Sequence, residues 1–142
     1  MRISTEAREQ TPGELAWLVK SAIEGFARGA APSFRRMRLP PLYQSGIVFA
    51  YEPNHGSGDE DFALPEMTLA RGCGDCDDLI IYRLCELWAP SIKFDRFGNP
   101  CALDTSPASC SCEWVGENMH VQVRHRSGKL EDCAVLLGAP WQ

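Results

Sequence analysis

The chain has 142 residues, of which 44% are hydrophobic, and it carries a formal net charge of −5. This composition predicts one soluble domain over residues 1–142, and the negative charge argues against nucleic-acid binding because no basic stripe can neutralise phosphates. The N-terminus has no apolar signal segment, and no stretch approaches the ~20 apolar residues that cross a bilayer. We therefore expect a cytoplasmic protein with no membrane partner.

The first predicted element is a helix over residues 12–28. Thr11 is typical of an N-cap, a proline follows at the first helical position, and Glu14 completes a capping box. Apolar residues then recur at helical spacing, and Gly29 is typical of a C-terminal stop. After it, the proline-containing segment 30–44 is predicted to be irregular.

The next segment predicts a short strand, a polar loop and a turn of helix. Residues 46–51 are rich in β-forming side chains and indicate the strand. Residues 52–61 are polar and glycine-containing and indicate the loop. Its acids, Asp59 to Asp61, are more typical of a solvated surface than of a cation site. Residues 64–70 indicate the helical turn.

The most informative stretch runs from Arg71 to Trp88. It begins Arg-Gly-Cys-Gly-Asp-Cys-Asp-Asp and continues with apolar residues at helical spacing, which predicts a turn leading into a helix with Cys76 at its N-terminus. Backbone N–H groups and the helix dipole stabilise a thiolate there and lower its pKa. We therefore interpret Cys76 as a candidate nucleophile. Asp77 and Asp78 oppose thiolate formation, so an imidazolium partner is required.

After the helix, a proline at position 90 predicts its end. Residues 92–97 alternate apolar and charged side chains, as a half-buried strand does. The proline-, serine- and cysteine-rich segment 98–112 is predicted to loop out. Residues 119–125 alternate again and, with the run 129–137, indicate a β-hairpin.

Three histidines compete for the role of base. His55 falls in the polar loop and His125 lies next to the hairpin turn, whereas His120 lies inside a strand, where its neighbours can fix the ring. Asp132 on the returning segment is the nearest group to orient that ring. Loss of His120 is then expected to raise the pKa of Cys76.

The register of the hairpin tests this pairing. A two-residue turn at Ser127 and Gly128 would pair Val123 with Asp132 and turn Asp132 away from His120. A three-residue loop ending at Gly128 instead places Asp132 diagonal to His120 on the same face, ~7–8 Å away at the backbone. Such loops favour glycine at their last, left-handed position, so we predict this second register.

These motifs resemble the transglutaminase-like cysteine protease superfamily, and most closely its short phage- and prophage-encoded members. The likeness covers residues 42–138 and rests on the order of its motifs. These are a Ser45-Gly46-Ile47 strand, a Tyr51-Glu52-Pro53 segment, the Gly-Asp-Cys-Asp-Asp helix start, the Met119-His120 strand, the Glu131-Asp132 segment and Leu137-Gly138. It implies an α+β, papain-like fold in which a central helix with an N-terminal cysteine packs on a small antiparallel sheet. It also implies a triad of Cys76 as nucleophile, His120 as base and Asp132 as orienting group.

The resemblance implies two possible functions. The first is a cysteine hydrolase or acyltransferase that acts on a peptide or isopeptide amide through a thioester and needs no cofactor. The second is a phage virion or assembly protein of the head-to-tail or tail region that keeps the fold with little activity. The partners would be a protein or peptide substrate in the first case and phage structural proteins in the second, in the cytoplasm of a bacterial host.

The chain departs from the family pattern at Cys73, at Cys133, where a proline is common, and in the segment 100–113, which has no counterpart. Other readings of the cysteines stay open. Cys76 could be a buried thiol. Cys73 and Cys76 have Cys-x-x-Cys spacing, which Cys110 and Cys112 with Cys133 could complete as a zinc site, or which could by itself be a redox motif. Cys101 has no assigned role. The cysteine count is odd, and we expect mostly reduced thiols.

Overall fold

The computed structural model describes residues 2–4, 11–51 and 59–140, with residues 2–4, 59 and 60 described by their backbone alone. The fold is mixed α+β, as predicted. The helices are α1 (Pro12–Met37), α2 (Pro65–Arg71), α3 (Cys76–Trp88) and α4 (Cys133–Leu136). The strands are β1 (Arg2–Ser4), β2 (Val48–Phe49), β3 (Asp59–Asp61), β4 (Cys73–Gly74), β5 (Lys93–Phe94), β6 (Pro100–Ala102), β7 (Ala108–Val115), β8 (Asn118–His125) and β9 (Leu130–Glu131).

Helix α1 begins where the sequence predicts and ends later. The Thr11 side chain accepts a hydrogen bond of 3.1 Å from the Glu14 N–H. The predicted stop at Gly29 is wrong, because the helix continues to Met37 and contains Pro32. The predicted irregular segment 30–44 is therefore helical over its first half.

Tertiary packing explains this longer helix. Ala30, Ala31 and Phe34 are all buried in the core, and the Phe34 ring packs edge-on against Tyr82 of α3 with ring centroids 5.1 Å apart. Burial of that face opposes the local cost of a proline in a helix interior. The helix ends at Arg38, which adopts a left-handed conformation.

The main sheet has the order β7-β8-β9. The prediction that residues 98–112 loop out is wrong, because β7 pairs antiparallel with the whole of β8, from Ala108 opposite His125 to Val115 opposite Asn118. Ala108 and Cys110 are buried in the core. Small residues and cysteines therefore form the inner face of a strand in a segment whose composition suggested a loop.

The register predicted for the hairpin of β8 and β9 is confirmed. Val123 pairs with Glu131 and Arg124 with Leu130, which is the register of the three-residue loop. The three-residue loop ends at Gly128, whose φ of +91° is the left-handed conformation that the prediction requires. One detail is wrong: β9 ends at Glu131, so Asp132 is the N-cap of α4 and not a strand residue.

Helix α3 lies at the centre of the fold. It packs on α1, on the main sheet, on α2 and on α4. Its apolar side chains are buried, and the Trp88 indole N–H donates a 3.0 Å hydrogen bond to the Ala108 carbonyl of β7. The core therefore holds the helix that carries Cys76 against the sheet that carries His120.

The remaining strands are short. β2 pairs in parallel with β4, and its two residues are fewer than the predicted strand over residues 46–51. β3 pairs with β1, so the predicted loop over residues 52–61 is wrong for its last three residues. Residues 52–58, which include His55, lie outside the described residues. None of the described helices has the length and apolar content needed to cross a membrane.

Candidate active site

The N-terminus of α3 is built by the turn that precedes it. Asp75 is the N-cap, and its Oδ1 accepts a 3.1 Å hydrogen bond from the Asp78 N–H. Gly74 is required by close packing, since a Cβ there would lie 2.9 Å from Asp78 Cβ and 3.1 Å from Thr68 Cγ2. Cys76 is therefore the first residue of α3, as the sequence predicts, among N–H groups that have no carbonyl acceptor within the helix.

The Cys76 side chain is half-buried and packs against the core. Its Sγ lies 3.7 Å from Oδ1 of Asp77, and Asp77 itself is buried. An ionised carboxylate at this distance disfavours a neighbouring thiolate. The helix N-terminus and Asp77 therefore act on the sulfur in opposite directions.

The predicted base and its orienting group lie together. His120 Nε2 is 2.9 Å from Asp132 Oδ2, and both side chains are about one-fifth exposed, at 22% and 17%. Asp132 uses its other oxygen, Oδ1, to accept a 3.0 Å hydrogen bond from the Val135 N–H as the N-cap of α4. The carboxylate is thus held at both oxygens, which fixes the ring that it contacts.

The position of Cys76 relative to this pair follows from how α3 runs along the sheet. Trp88 contacts Ala108, which pairs with His125 at the end of β8. Arg83 contacts Glu131, which pairs with Val123. Helix α3 and strand β8 therefore run in the same sense, and the helix N-terminus lies towards the start of β8.

Helical and strand rises then place Cys76. It lies seven residues before Arg83, which is two turns or about 10.5 Å along the axis and nearly the same face of the helix. That distance equals about three residues of strand, which leads from Val123 to His120. With the α3 axis taken as parallel to β8, these rises would bring Cys76 level with His120.

The third predicted residue comes from a different element. Cys76 begins α3, whereas His120 lies on β8 and Asp132 at the start of α4. Strand alternation places the His120 and Asp132 side chains on the face opposite to Val123 and Glu131, and α3 contacts Glu131. The His–Asp pair is therefore assembled on the sheet against which the helix of Cys76 packs.

A second group of polar residues was not predicted. Glu131, next to Asp132, accepts hydrogen bonds from Arg83 Nε at 2.8 Å, from Tyr43 Oη at 2.6 Å and from Cys133 Sγ at 3.3 Å, and its Oε1 lies 2.8 Å from His125 Nε2. Burial alone would raise the pKa of Glu131, but the bonds from Arg83, Tyr43 and His125 lower it to about 2. No local pattern predicts this cluster, because Tyr43 and Arg83 lie far from Glu131 in the chain.

A cavity of about 690 Å³ lies on the other side of the turn before Cys76. Among its lining residues are Phe62 and Met67, Arg71 of α2, and the acids Asp75 and Asp78. Asp78 is 2% exposed and accepts a 3.0 Å hydrogen bond from the Ala63 N–H. Burial, followed by the charge of Asp75, raises the pKa of Asp78 to about 7. The cavity borders the Cys76 turn and includes none of the three predicted catalytic residues.

The metal and redox alternatives receive no support. In the part of the chain that the structure describes, no group of three or more His, Cys, Asp or Glu side chains could hold a metal ion. All seven cysteines are free thiols. Cys110 is a buried residue of β7, whereas Cys133 contacts Tyr43 at the start of α4. The cysteines that would complete a zinc site are therefore dispersed.

In comparisons with known proteins, no family model, no curated protein and no solved structure matches this chain.

Proposed function

We propose that this protein is a transglutaminase-like cysteine hydrolase or acyltransferase with a papain-like core, acting on a peptide or isopeptide amide. In this proposal Cys76 is the nucleophile, His120 the base and Asp132 its orienting group. The observation that carries the proposal is the 2.9 Å contact between His120 and Asp132, on the sheet that packs against the helix beginning with Cys76. A thiolate–imidazolium nucleophile requires, in addition, that the Cys76 sulfur reach the His120 ring.

The reaction would proceed through a thioester. The Cys76 thiolate attacks the carbonyl carbon of the amide, and a carbon–sulfur bond forms as the carbonyl oxygen takes up negative charge. Backbone N–H groups in the first turn of α3 stabilise that oxyanion. The His120 imidazolium donates its proton to the amine as the carbon–nitrogen bond breaks. His120 then accepts a proton from water or an amine, which attacks the thioester carbonyl carbon; the carbon–sulfur bond breaks and the Cys76 thiolate is regenerated beside the His120 imidazolium.

Asp77 determines how much this mechanism depends on His120. Its carboxylate lies 3.7 Å from the Cys76 sulfur and is buried, so it opposes ionisation of the thiol. The helix dipole contributes only about 1 kcal/mol at such a position. The imidazolium must therefore supply most of the stabilisation of the thiolate.

Alkylation by iodoacetamide at pH 5–6 tests the nucleophile. Mass spectrometry of the seven cysteines should show Cys76 labelled ahead of Cys101, the exposed thiol that serves as an internal reference. Burial raises the pKa of Cys85, Cys110 and Cys133, so these should react last. Labelling of Cys76 no faster than Cys101 would contradict the proposal.

Turnover is tested with a library of peptides and a primary amine. New amino termini indicate hydrolysis, and peptides whose mass increases by the added amine indicate transfer. Both products should disappear in Cys76→Ser. Cys73→Ser is the matched control, because it changes a half-buried cysteine only three residues away and should leave the products unchanged.

A second function is favoured by one observation. The buried Asp77 carboxylate next to the sulfur is unfavourable for catalysis, as expected if the chain keeps the fold as a phage virion or assembly protein. That function predicts slow, uniform cysteine labelling and co-purification of the chain with virion proteins of the head-to-tail or tail region. Acid-reactive Cys76 together with loss of products in Cys76→Ser would exclude a purely structural role.

A further inference from the structure

We propose that Glu131 and Arg83 are positioning residues that hold the His120–Asp132 pair in place against the helix that carries Cys76. This inference rests on the proposed function. It concerns two residues that have no place in the triad. Glu131 lies on the face of the hairpin opposite to His120, and Arg83 contacts it from α3.

The first argument is the location of the ion pair. Glu131 directly precedes Asp132 in the chain. Arg83 lies two helical turns after Cys76, on the same face of α3. Arg83 binds Glu131 through Nε at 2.8 Å and through a terminal nitrogen at 3.2 Å. This two-point contact is the direct link between the element that carries the nucleophile and the segment that carries the orienting carboxylate.

The second argument is how completely the carboxylate is held. Tyr43 donates to Glu131 from the turn before β2, and His125 contacts it from β8. The Arg83 guanidinium in turn lies over the Tyr43 ring, 5.2 Å from its centroid, and donates to Glu86 at 2.5 Å. Three separate segments therefore converge on one carboxylate, which restricts both its rotation and its translation.

The third argument is burial. The side chains of Glu131 and Arg83 are only 10% and 17% exposed. A buried ion pair adds little stability over well-packed apolar residues of similar volume, and its best-attested use is to fix geometry. Two-point binding between a planar guanidinium and a carboxylate is suited to that use, because it constrains direction as well as distance.

The test compares Glu131→Gln with Ile23→Val, a variant of a fully buried residue in α1 that lowers stability away from the site. Two properties are measured in each: the pH profile of Cys76 alkylation and the ¹⁵N NMR signals of the His120 ring. We expect Glu131→Gln to shift the alkylation profile upwards by about one pH unit and to move the ring signals, and Ile23→Val to change neither.

The outcomes separate this inference from the proposed function. If Cys76 of the unmodified protein reacts at low pH and Glu131→Gln leaves both measurements unchanged, the positioning role is wrong and the proposed function stands. If the ring signals move only in Glu131→Gln but Cys76 is never acid-reactive, the positioning of His120 is supported and the enzymatic function fails. If Ile23→Val has the same effects as Glu131→Gln, the effects follow stability alone and the inference is overturned.

Discussion

The hairpin of β8 and β9 carries two His–carboxylate pairs of nearly equal length in very different surroundings. His120 and Asp132 are 2.9 Å apart, and their carboxylate also accepts a hydrogen bond from an N–H at the start of α4. His125 and Glu131 are 2.8 Å apart, and their carboxylate also binds a guanidinium and a phenol. The difference teaches that a His–carboxylate contact takes its character from its neighbours: the first pair is tied to the start of one helix, and the second joins separate segments of the fold.

The largest expected effect separates the two histidines. His120→Gln should lower the rate of Cys76 alkylation at pH 5–6 by about 100-fold or more, because it removes the imidazolium that opposes Asp77. His125→Gln should lower it by about tenfold at most, because Arg83 and Tyr43 still hold Glu131. Equal losses in the two variants, measured by mass spectrometry, would remove the distinction between the pairs.

The free energy of unfolding should depend more on Glu131, in the second pair, than on Asp132, in the first pair, which is the reverse of the order expected for alkylation. Glu131→Gln is expected to lower the free energy of unfolding by about 3 kcal/mol, because it removes one of the two carboxylates, Glu131 and Glu86, that bind the largely buried Arg83 guanidinium. Asp132→Asn should cost less than about 1 kcal/mol, because asparagine caps a helix as well as aspartate does. Urea denaturation measures both. A larger loss for Asp132→Asn would show that the first pair is the structural one.

Acid should lower the stability of the protein by protonating Glu131, the carboxylate of the second pair. The pKa of Glu131 is lowered from 4.5 to about 2 in the fold, so its contribution to stability is complete above pH 4.5 and is lost as the pH falls towards 2. The stability difference between the unmodified protein and Glu131→Gln should therefore shrink by about 2 kcal/mol between pH 5 and pH 2. Thermal unfolding over this range measures it, and a constant difference would contradict the assigned bonds.

Asp78 extends the comparison to a buried carboxyl with no cation bonded to it in the described structure. Its pKa is raised from 3.8 to about 7, so the stability linked to its protonated form is complete below pH 3.8 and is lost as the pH rises through 7. Asp78→Asn should therefore gain about 2 kcal/mol relative to the unmodified protein between pH 5 and pH 8. Urea denaturation at the two pH values checks this, and a difference of opposite sign would refute the raised pKa.

The smallest expected effect concerns the loop ending at Gly128, which sets the register that brings the residues of both His–carboxylate pairs together. Gly128 has a φ of +91° with open space around it, so Gly128→Ala should cost about 1 kcal/mol through backbone strain alone. Gly25→Ala is the matched control, because Gly25 lies inside α1 with no positive φ and equal space, and alanine should stabilise it slightly. Equal effects on thermal unfolding would mean that the left-handed loop is not what holds the register.

Two segments show how far local patterns could predict the fold. The turn before Cys76 was predictable, because an N-cap, acids in the first turn and helical spacing all act within a few residues of one another. Strand β7 was not predictable, because prolines precede it in the chain and because the serines and cysteines within it are common in loops. Its eight residues form a strand only because β8 supplies hydrogen bonds and α3 covers its inner face.

The sequence by itself determined the start of α3 at Cys76, the three-residue loop at Gly128 and hence the meeting of His120 with Asp132, because each depends on capping, a left-handed glycine or strand alternation. Tertiary structure alone decided that α1 continues through Pro32, that Asp132 caps a helix, and that Arg83 binds Glu131. These features need burial and contacts between residues far apart in the chain, which no local pattern contains.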